Sequence, residues 1–155
     1  MRKMLIYGLG FILLLVVAGA IYFRTAEPEL TKIDFATLQK KPSPNQFLVA
    51  PPGLTQTVPD MEAPTFKHSP EELRAIWRER VSSQPNVTLL NSDDALMQDD
   101  YRQRTPLMGY PDTVTVRFLP HESGSTLAVY SRSHFGHSDL GANEKRVREW
   151  LALLD

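Results

Sequence analysis

The stretch "TVTVRFLPHESGSTLAVYSRS", residues 113–133, predicts a β-hairpin and with it the type of fold. Its first half, Thr113–Leu119, alternates apolar and polar residues, which is the period of a strand with one buried face. The second half, Ser125–Ser133, follows the turn "PHESGS". It is expected to place Leu127 and Val129 on the same buried face of the sheet as the apolar residues of the first half. The hairpin therefore predicts an antiparallel sheet that needs helices to cover its apolar face.

A helix is predicted before the hairpin and another after it. In "HSPEELRAIWRERV", residues 68–81, Ser69 is a good N-cap, Pro70 suits the first helical position and Glu72 completes a capping box. Apolar residues then recur at helical spacing: Leu73, Ile76, Trp77 and Val81. The chain ends in a second such stripe: Val147, Trp150, Leu151 and Leu154.

Three further short segments have strand character. Val87–Leu90 is apolar, Tyr101–Leu107 is a weaker candidate, and Phe47–Ala50 is expected to lie on the domain as an edge strand. Together these elements predict the α+β class: a two-layer domain in which an antiparallel sheet packs with two helices.

The N-terminus predicts a membrane segment. Met4–Phe23 is a run of uncharged, mostly apolar residues that would span about 30 Å as a helix, the thickness of the hydrocarbon core of a bilayer. Arg2 and Lys3 precede it and favour a cytoplasmic N-terminus. We expect residues 1–24 to anchor the protein in the inner membrane, with the domain exported to the periplasmic or extracytoplasmic side.

The alternative is a cleaved signal peptide, since Ala18–Ala20 supplies small residues at the spacing that a signal peptidase uses. The apolar run continues past that point, which favours the anchor. Residues 25–41 are expected to form a linker, because the proline-rich sequence that starts here resists helices and central strands. The domain is then expected over 42–155.

Composition narrows the function classes. The net charge of −1 argues against a nucleic-acid binder. The absence of cysteine excludes disulfides, thiolate zinc sites and cysteine nucleophiles. Four aspartates lack the ligand spacing and glycine of a calcium loop and are expected to be solvated loop charges: Asp93, Asp94, Asp99 and Asp100.

The strand-to-helix turn over residues 131–146 holds the candidate functional residues. His134, His137 and Asp139 are metal-ligand types but crowd into one loop, so no metal or other cofactor is expected. Ser131 and Ser133 lie near histidines, but the strained elbow of a nucleophilic serine is missing. A hydrolase or metal-assisted enzyme that uses this turn is the alternative function.

The preferred interpretation is a structural clasp, with anion binding at the helix N-terminus as its functional variant. Gly141 permits unusual backbone angles, Asp139 or Asn143 can cap the free N–H groups, and Arg132 or Arg146 can pair with Asp139 or hold an anion. The predicted clasp or anion site consists of Arg132, Ser133, Ser138, Asp139, Asn143 and Arg146. Besides the membrane, an envelope protein or a small anionic ligand would then be the partner.

The same turn resembles the closing motif of the family called domain of unknown function 1499. The matching positions are Ser131, Arg132, Ser133, Gly136, Ser138, Asp139, Gly141, Asn143, Arg146 and Val147. "PNQFLVAPPG" (44–53) and "GYPDTVTVRF" (109–118) are similar to earlier segments of that family. The resemblance implies a fold for residues 42–155 and an envelope location, and it implies no reaction.

Overall fold

The structure is a computed structural model that describes residues 2–27 and 29–154. Over these residues the chain forms three α-helices and a mixed sheet of seven strands, which confirms the α+β class. The helices are α1 (Arg2–Thr25), α2 (Pro70–Ser82) and α3 (Ala142–Ala152). The strands are β1 (Gln46–Ala50), β2 (Met61–Glu62), β3 (Thr65–Phe66), β4 (Val87–Asp93), β5 (Gln98–Arg104), β6 (Pro111–His121) and β7 (Gly124–Ser133).

The sheet has the strand order β2-β1-β7-β6-β5-β4, with β3 added against β7. All pairings are antiparallel except β1 with β2, so the prediction of a purely antiparallel sheet is wrong at that pair. The expectation that Phe47–Ala50 forms an edge strand is also wrong. The chain returns alongside β1 at Asp60, whose backbone N–H donates to Leu48 O (2.8 Å), and this covers the edge of β1.

The predicted hairpin is present as β6 and β7, which pair continuously from Asp112↔Ser133 to His121↔Gly124. Gly124 has a φ of 135°, and a Cβ atom at this position would collide with the carbonyl oxygen of Phe66. Glycine is therefore required at the turn, because β3 crosses it closely.

Helix α2 begins as its sequence predicts. Ser69 Oγ accepts the Glu72 N–H (3.2 Å), and Glu72 Oε2 accepts the Ser69 N–H (2.9 Å), which is a complete capping box. These two bonds satisfy donors that the first helical turn leaves free.

The main core lies between the sheet and helices α2 and α3. Trp77 of α2 and Trp150 of α3 meet edge-to-face with ring centroids 5.9 Å apart. Their neighbours come from alternate positions of the strands: Phe47, Val49, Tyr101, Val114, Val116, Phe118, Leu127 and Val129. The predicted inner stripes of both helices join this core.

The opposite face of the sheet is covered by part of the segment that the sequence assigns to a linker. Ile33, Phe35 and Leu38 are buried against Leu48 and Tyr130, and Phe35 is 0% exposed. The prediction that residues 25–41 form a free linker is therefore wrong for 33–38. Ala128 and Tyr130 of β7 face this side as well, and the segment removes their apolar surface from water.

Helix α1 is apolar and long enough to cross a bilayer, with a mean hydropathy of 2.6 over its most apolar 18-residue window. Arg104 of β5 is among the side chains that connect the C-terminal end of the helix to the domain. The two terminal nitrogens of Arg104 donate to the carbonyl oxygens of Phe23 and Ala26, both at 2.9 Å, and Arg104 also pairs with Glu27 (2.9 Å). A cation at this end also interacts favourably with the helix dipole.

Candidate functional site

Asn143, in the first turn of α3, lies at the centre of a buried polar cluster between β7 and α3. Its side chain is inaccessible to solvent and is hydrogen-bonded on both sides. The amide oxygen accepts from Ser131 Oγ (2.6 Å) and Arg146 Nη1 (2.7 Å). The amide nitrogen donates to Ser133 Oγ and to the carbonyl oxygen of Asn45, both at 3.0 Å. Asn143 therefore ties the end of the sheet to the start of the helix.

Arg146 supplies the positive charge of this cluster, and its charge partner comes from the start of β6. Arg146 Nη2 pairs with Asp112 Oδ2 at 2.5 Å, and both side chains are buried. Arg146 also donates to Ser131 Oγ (2.9 Å) and to Gln103 Oε1. Burial raises the pKa of Asp112, and the neighbouring Arg146 opposes that rise.

Asp139 caps α3 with its carboxylate. Oδ2 accepts the backbone N–H of Asn143 (2.7 Å) and its side-chain amide (2.6 Å), and Oδ1 accepts the Gly141 N–H (3.1 Å). Gly141 has a φ of 81°, a left-handed conformation that glycine adopts without strain. The expected ion pair of Asp139 with Arg132 or Arg146 is wrong, because Arg146 turns inward to Asp112 instead.

Arg132 lies on the opposite face of the sheet from Arg146. Successive residues of a strand point to opposite sides, so Ser131 faces α3 and Arg132 faces away. The guanidinium of Arg132 is buried, donates to Thr115 Oγ1 (3.2 Å) and lies 5.2 Å from the ring centroid of Tyr130. Burial lowers its pKa. The sequence allowed both arginines to bind one anion at the turn. Because they lie on opposite faces of the sheet, they do not converge on such a site.

The histidines do not join the cluster. His134 Nε2 lies 2.6 Å from Thr113 Oγ1 on the Arg132 face, and burial, with Arg132 and Lys41, lowers its pKa to about 4. His137 and Ser138 are exposed, and Ser138 Oγ accepts only the Leu140 N–H among the described residues. The described part of the chain contains no group of three His, Cys, Asp or Glu side chains placed to hold a metal ion.

Sequence reasoning missed the partners that complete the cluster. Asn45, Gln103 and Asp112 are far from the turn in sequence and reach it only through the sheet. The hairpin register offered a signal for one of them, since Asp112 pairs directly with Ser133.

A second buried charge cluster was also missed. Asp99, expected to be a solvated loop charge, is 0% exposed and pairs with Arg74 and Arg78 at 2.7 Å each. The two arginines are four residues apart on α2, and this spacing places them on one side of the helix. Hydrogen bonds from both arginines hold the pKa of Asp99 below its usual value despite its burial. The cluster fastens α2 to β5.

Beside the Asn143 cluster an apolar cleft of about 760 Å³ opens to solvent. Its walls are the β5–β6 connection, the turn after β7 and the end of α1. The rings of Phe23, Tyr110 and Phe135 are in mutual contact here, with centroids 4.5 Å apart for Phe23–Tyr110 and 5.1 Å for Phe23–Phe135. Asp112 and Asp139 line it as well. The cleft is open to solvent and mostly apolar, so it can take an apolar ligand beside the turn.

The cluster predicts that Asn143 matters more for stability than Asp139. We expect Asn143→Ala to cost about 2–3 kcal/mol, because several buried partners lose their hydrogen bonds together. Asp139→Ala should cost about 1 kcal/mol, the usual loss for a cap. Urea denaturation of the full chain in detergent micelles measures both values. A larger loss for Asp139 would show that its carboxylate balances a buried charge after all.

Comparison with known proteins gives a family and no activity. No curated protein matches the chain. The chain is similar to the crystal structure of protein MLL2253 from Mesorhizobium loti, with 15% sequence identity and a TM-score of 0.41. The matched region covers 59% of this chain and 90% of that protein's chain. Residues 38–154 match the model of the family described as "Protein of unknown function (DUF1499)". The chain therefore belongs to the DUF1499 family, as the motif that closes with Arg146 and Val147 predicts.

Proposed function

We propose that this protein is a single-pass protein of the cytoplasmic membrane, with its N-terminus in the cytoplasm and its two-layer domain on the outer side. The observation that carries this proposal is the exposure of α1. Its large apolar side chains from Met4 to Val17 are 46–79% exposed, and such a continuous apolar surface requires apolar surroundings.

The contacts at the end of α1 connect the proposed anchor to the domain. Arg24 donates to the carbonyl oxygen of Leu107 (3.1 Å), and Arg104 holds the carbonyl oxygens of Phe23 and Ala26. The end of the helix is thus hydrogen-bonded to the β5 strand and to the β5–β6 connection of the domain. Cleavage after Ala20 would leave these contacting residues on the domain but would remove most of the helix that leads into them.

Within this proposal the domain has a binding role in the envelope, and the Asn143 cluster is its structural clasp. Ser131 is inaccessible to solvent, and its hydroxyl is engaged by Asn143 and Arg146. A nucleophilic serine needs a general base within hydrogen-bonding reach and a path for the substrate. The buried Ser131 has no such path, so this proposal assigns the turn a structural role and assigns ligand binding to the open cleft beside the cluster.

Membrane extraction and topology test the proposal. We expect the full chain to stay with membranes through an alkaline carbonate wash, because the apolar length of α1 resists extraction. A C-terminal alkaline phosphatase fusion should be active, since that enzyme folds only outside the cytoplasm. Release by carbonate, or a mature protein that begins at Ile21, would contradict the anchor.

A further inference from the structure

We propose that the apolar cleft holds an acyl chain of a phospholipid from the membrane leaflet in which α1 ends. The inference rests on the proposed function, because it requires α1 to lie in a bilayer. It adds a binding site and a class of ligand for the domain.

The position of Phe23 places the cleft at the surface of the membrane. Phe23 is the last residue of the apolar run, so a spanning α1 puts it at the boundary between hydrocarbon and headgroups. Its ring contacts those of Tyr110 and Phe135, within 5.1 Å between centroids. Headgroups occupy only about 5–7 Å on each side of the hydrocarbon core. The mouth of the cleft is therefore level with the lipids.

Two exposed leucines mark the side of the cleft that faces the lipids. Leu107 is 81% exposed and Leu140 is 96% exposed, and both line the cleft. Leu140 also adopts a φ of 54°, a conformation that costs free energy for a residue with a bulky side chain. An apolar side chain held outward in this way is unfavourable in water and favourable among acyl chains.

The shape and charge of the cleft select the ligand. Its volume of about 760 Å³ lies within the range of about 300–1,000 Å³ that is usual for ligand sites. Among the described residues that line it, the charged ones are both acidic, Asp112 and Asp139. Arg146 balances the charge of Asp112, whereas Asp139 has no salt bridge among the described residues, so its carboxylate disfavours the anionic headgroup of a free fatty acid at this wall. The cleft thus favours an acyl chain whose headgroup is zwitterionic.

The cysteine-free sequence allows a direct test of depth. Leu107→Cys and Leu140→Cys, each labelled with an environment-sensitive fluorophore, are compared in proteoliposomes with Val58→Cys, an 82% exposed position that does not line the cleft. We expect blue-shifted emission, and quenching by spin-labelled lipids, for the two cleft labels only. Equal, water-like emission at all three positions would overturn the membrane contact.

Occupancy of the cleft is tested by photo-crosslinking of the full chain. Proteoliposomes contain either phosphatidylethanolamine with a diazirine in one acyl chain or a diazirine fatty acid at the same mole fraction. We expect the phospholipid to label Met108, Tyr110 or Phe135 more strongly than the fatty acid does. Ala142→Phe, which fills the cleft from its wall, should remove most of this labelling.

The possible results separate the two proposals. Labelling confined to α1 would overturn the lipid site while leaving the anchor intact, whereas protein released by carbonate would overturn the anchor itself. Stronger labelling by the fatty acid would overturn the choice of phospholipid. Because Ala142→Phe could fail to fold, its tryptophan emission is compared with that of the parent. Leu140→Asn, which suits a positive φ, is the second variant and should lower the labelling as well.

Discussion

Replacing Arg146 by methionine should lower the free energy of unfolding by about 3–5 kcal/mol at neutral pH, the cost of stranding a buried charge partner. The substitution removes the cation that pairs with Asp112 and leaves that carboxylate buried. It also takes one donor from each of Asn143 and Ser131. Urea denaturation in detergent micelles measures the loss through the fluorescence of the two core tryptophans.

Arg148→Met is the matched control. Arg148 lies on the same helix and pairs with Glu144 at 2.9 Å, but its side chain is 54% exposed. An exposed pair of this kind contributes at most about 1 kcal/mol. Similar losses in the two variants would mean that the Arg146 pair has no special role in the clasp.

The loss in Arg146→Met should also depend on pH. Burial raises the pKa of Asp112 above its ordinary value of 3.8, and removing Arg146 removes an influence that opposes this rise. The folded variant therefore takes up a proton more readily than the unfolded chain, so its stability rises as the pH falls toward the raised pKa. We expect a smaller difference from the parent at about pH 5 than at about pH 8. A difference that stays constant would show that the carboxylate is not stranded.

Phe35→Ala should destabilise the protein by about 3–5 kcal/mol, as truncation of a fully buried aromatic residue does. Phe35 is 0% exposed and packs with Ile33 and Leu38 over the second face of the sheet. Leu30→Ala is the control, because Leu30 belongs to the same segment but is 37% exposed. Equal and small losses of unfolding free energy at both positions would show that this segment is a linker, as the sequence suggests, and not part of the core.

The elements that sequence analysis located correctly are those specified by neighbouring residues. The capping box of Ser69 and Glu72 requires residues three apart, and the β6–β7 hairpin repeats its alternation over a single stretch. Both patterns lie within a single short stretch of sequence, so they can be recognised without knowing any tertiary contact.

What the sequence could not show depends on contacts between distant segments. Phe35 lies in a segment without helical or strand periodicity, so nothing local indicates that the second sheet face needs a cover. Asp112 reaches Arg146 only after the hairpin has docked on α3. The separation of Arg132 from Arg146, in contrast, follows from the strand period and could have been anticipated.

The grip of Arg104 on the end of α1 has a mechanical consequence. Arg104 binds the carbonyl oxygens of Phe23 and Ala26 and pairs with Glu27, so a rotation of the helix end relative to the domain would have to break these hydrogen bonds. A domain mounted in this way in a bilayer has no tether over which to swing. Under the proposed anchoring, the domain would search for partners by lateral diffusion in two dimensions, and a tilt of the helix would be transmitted to the domain through these hydrogen bonds.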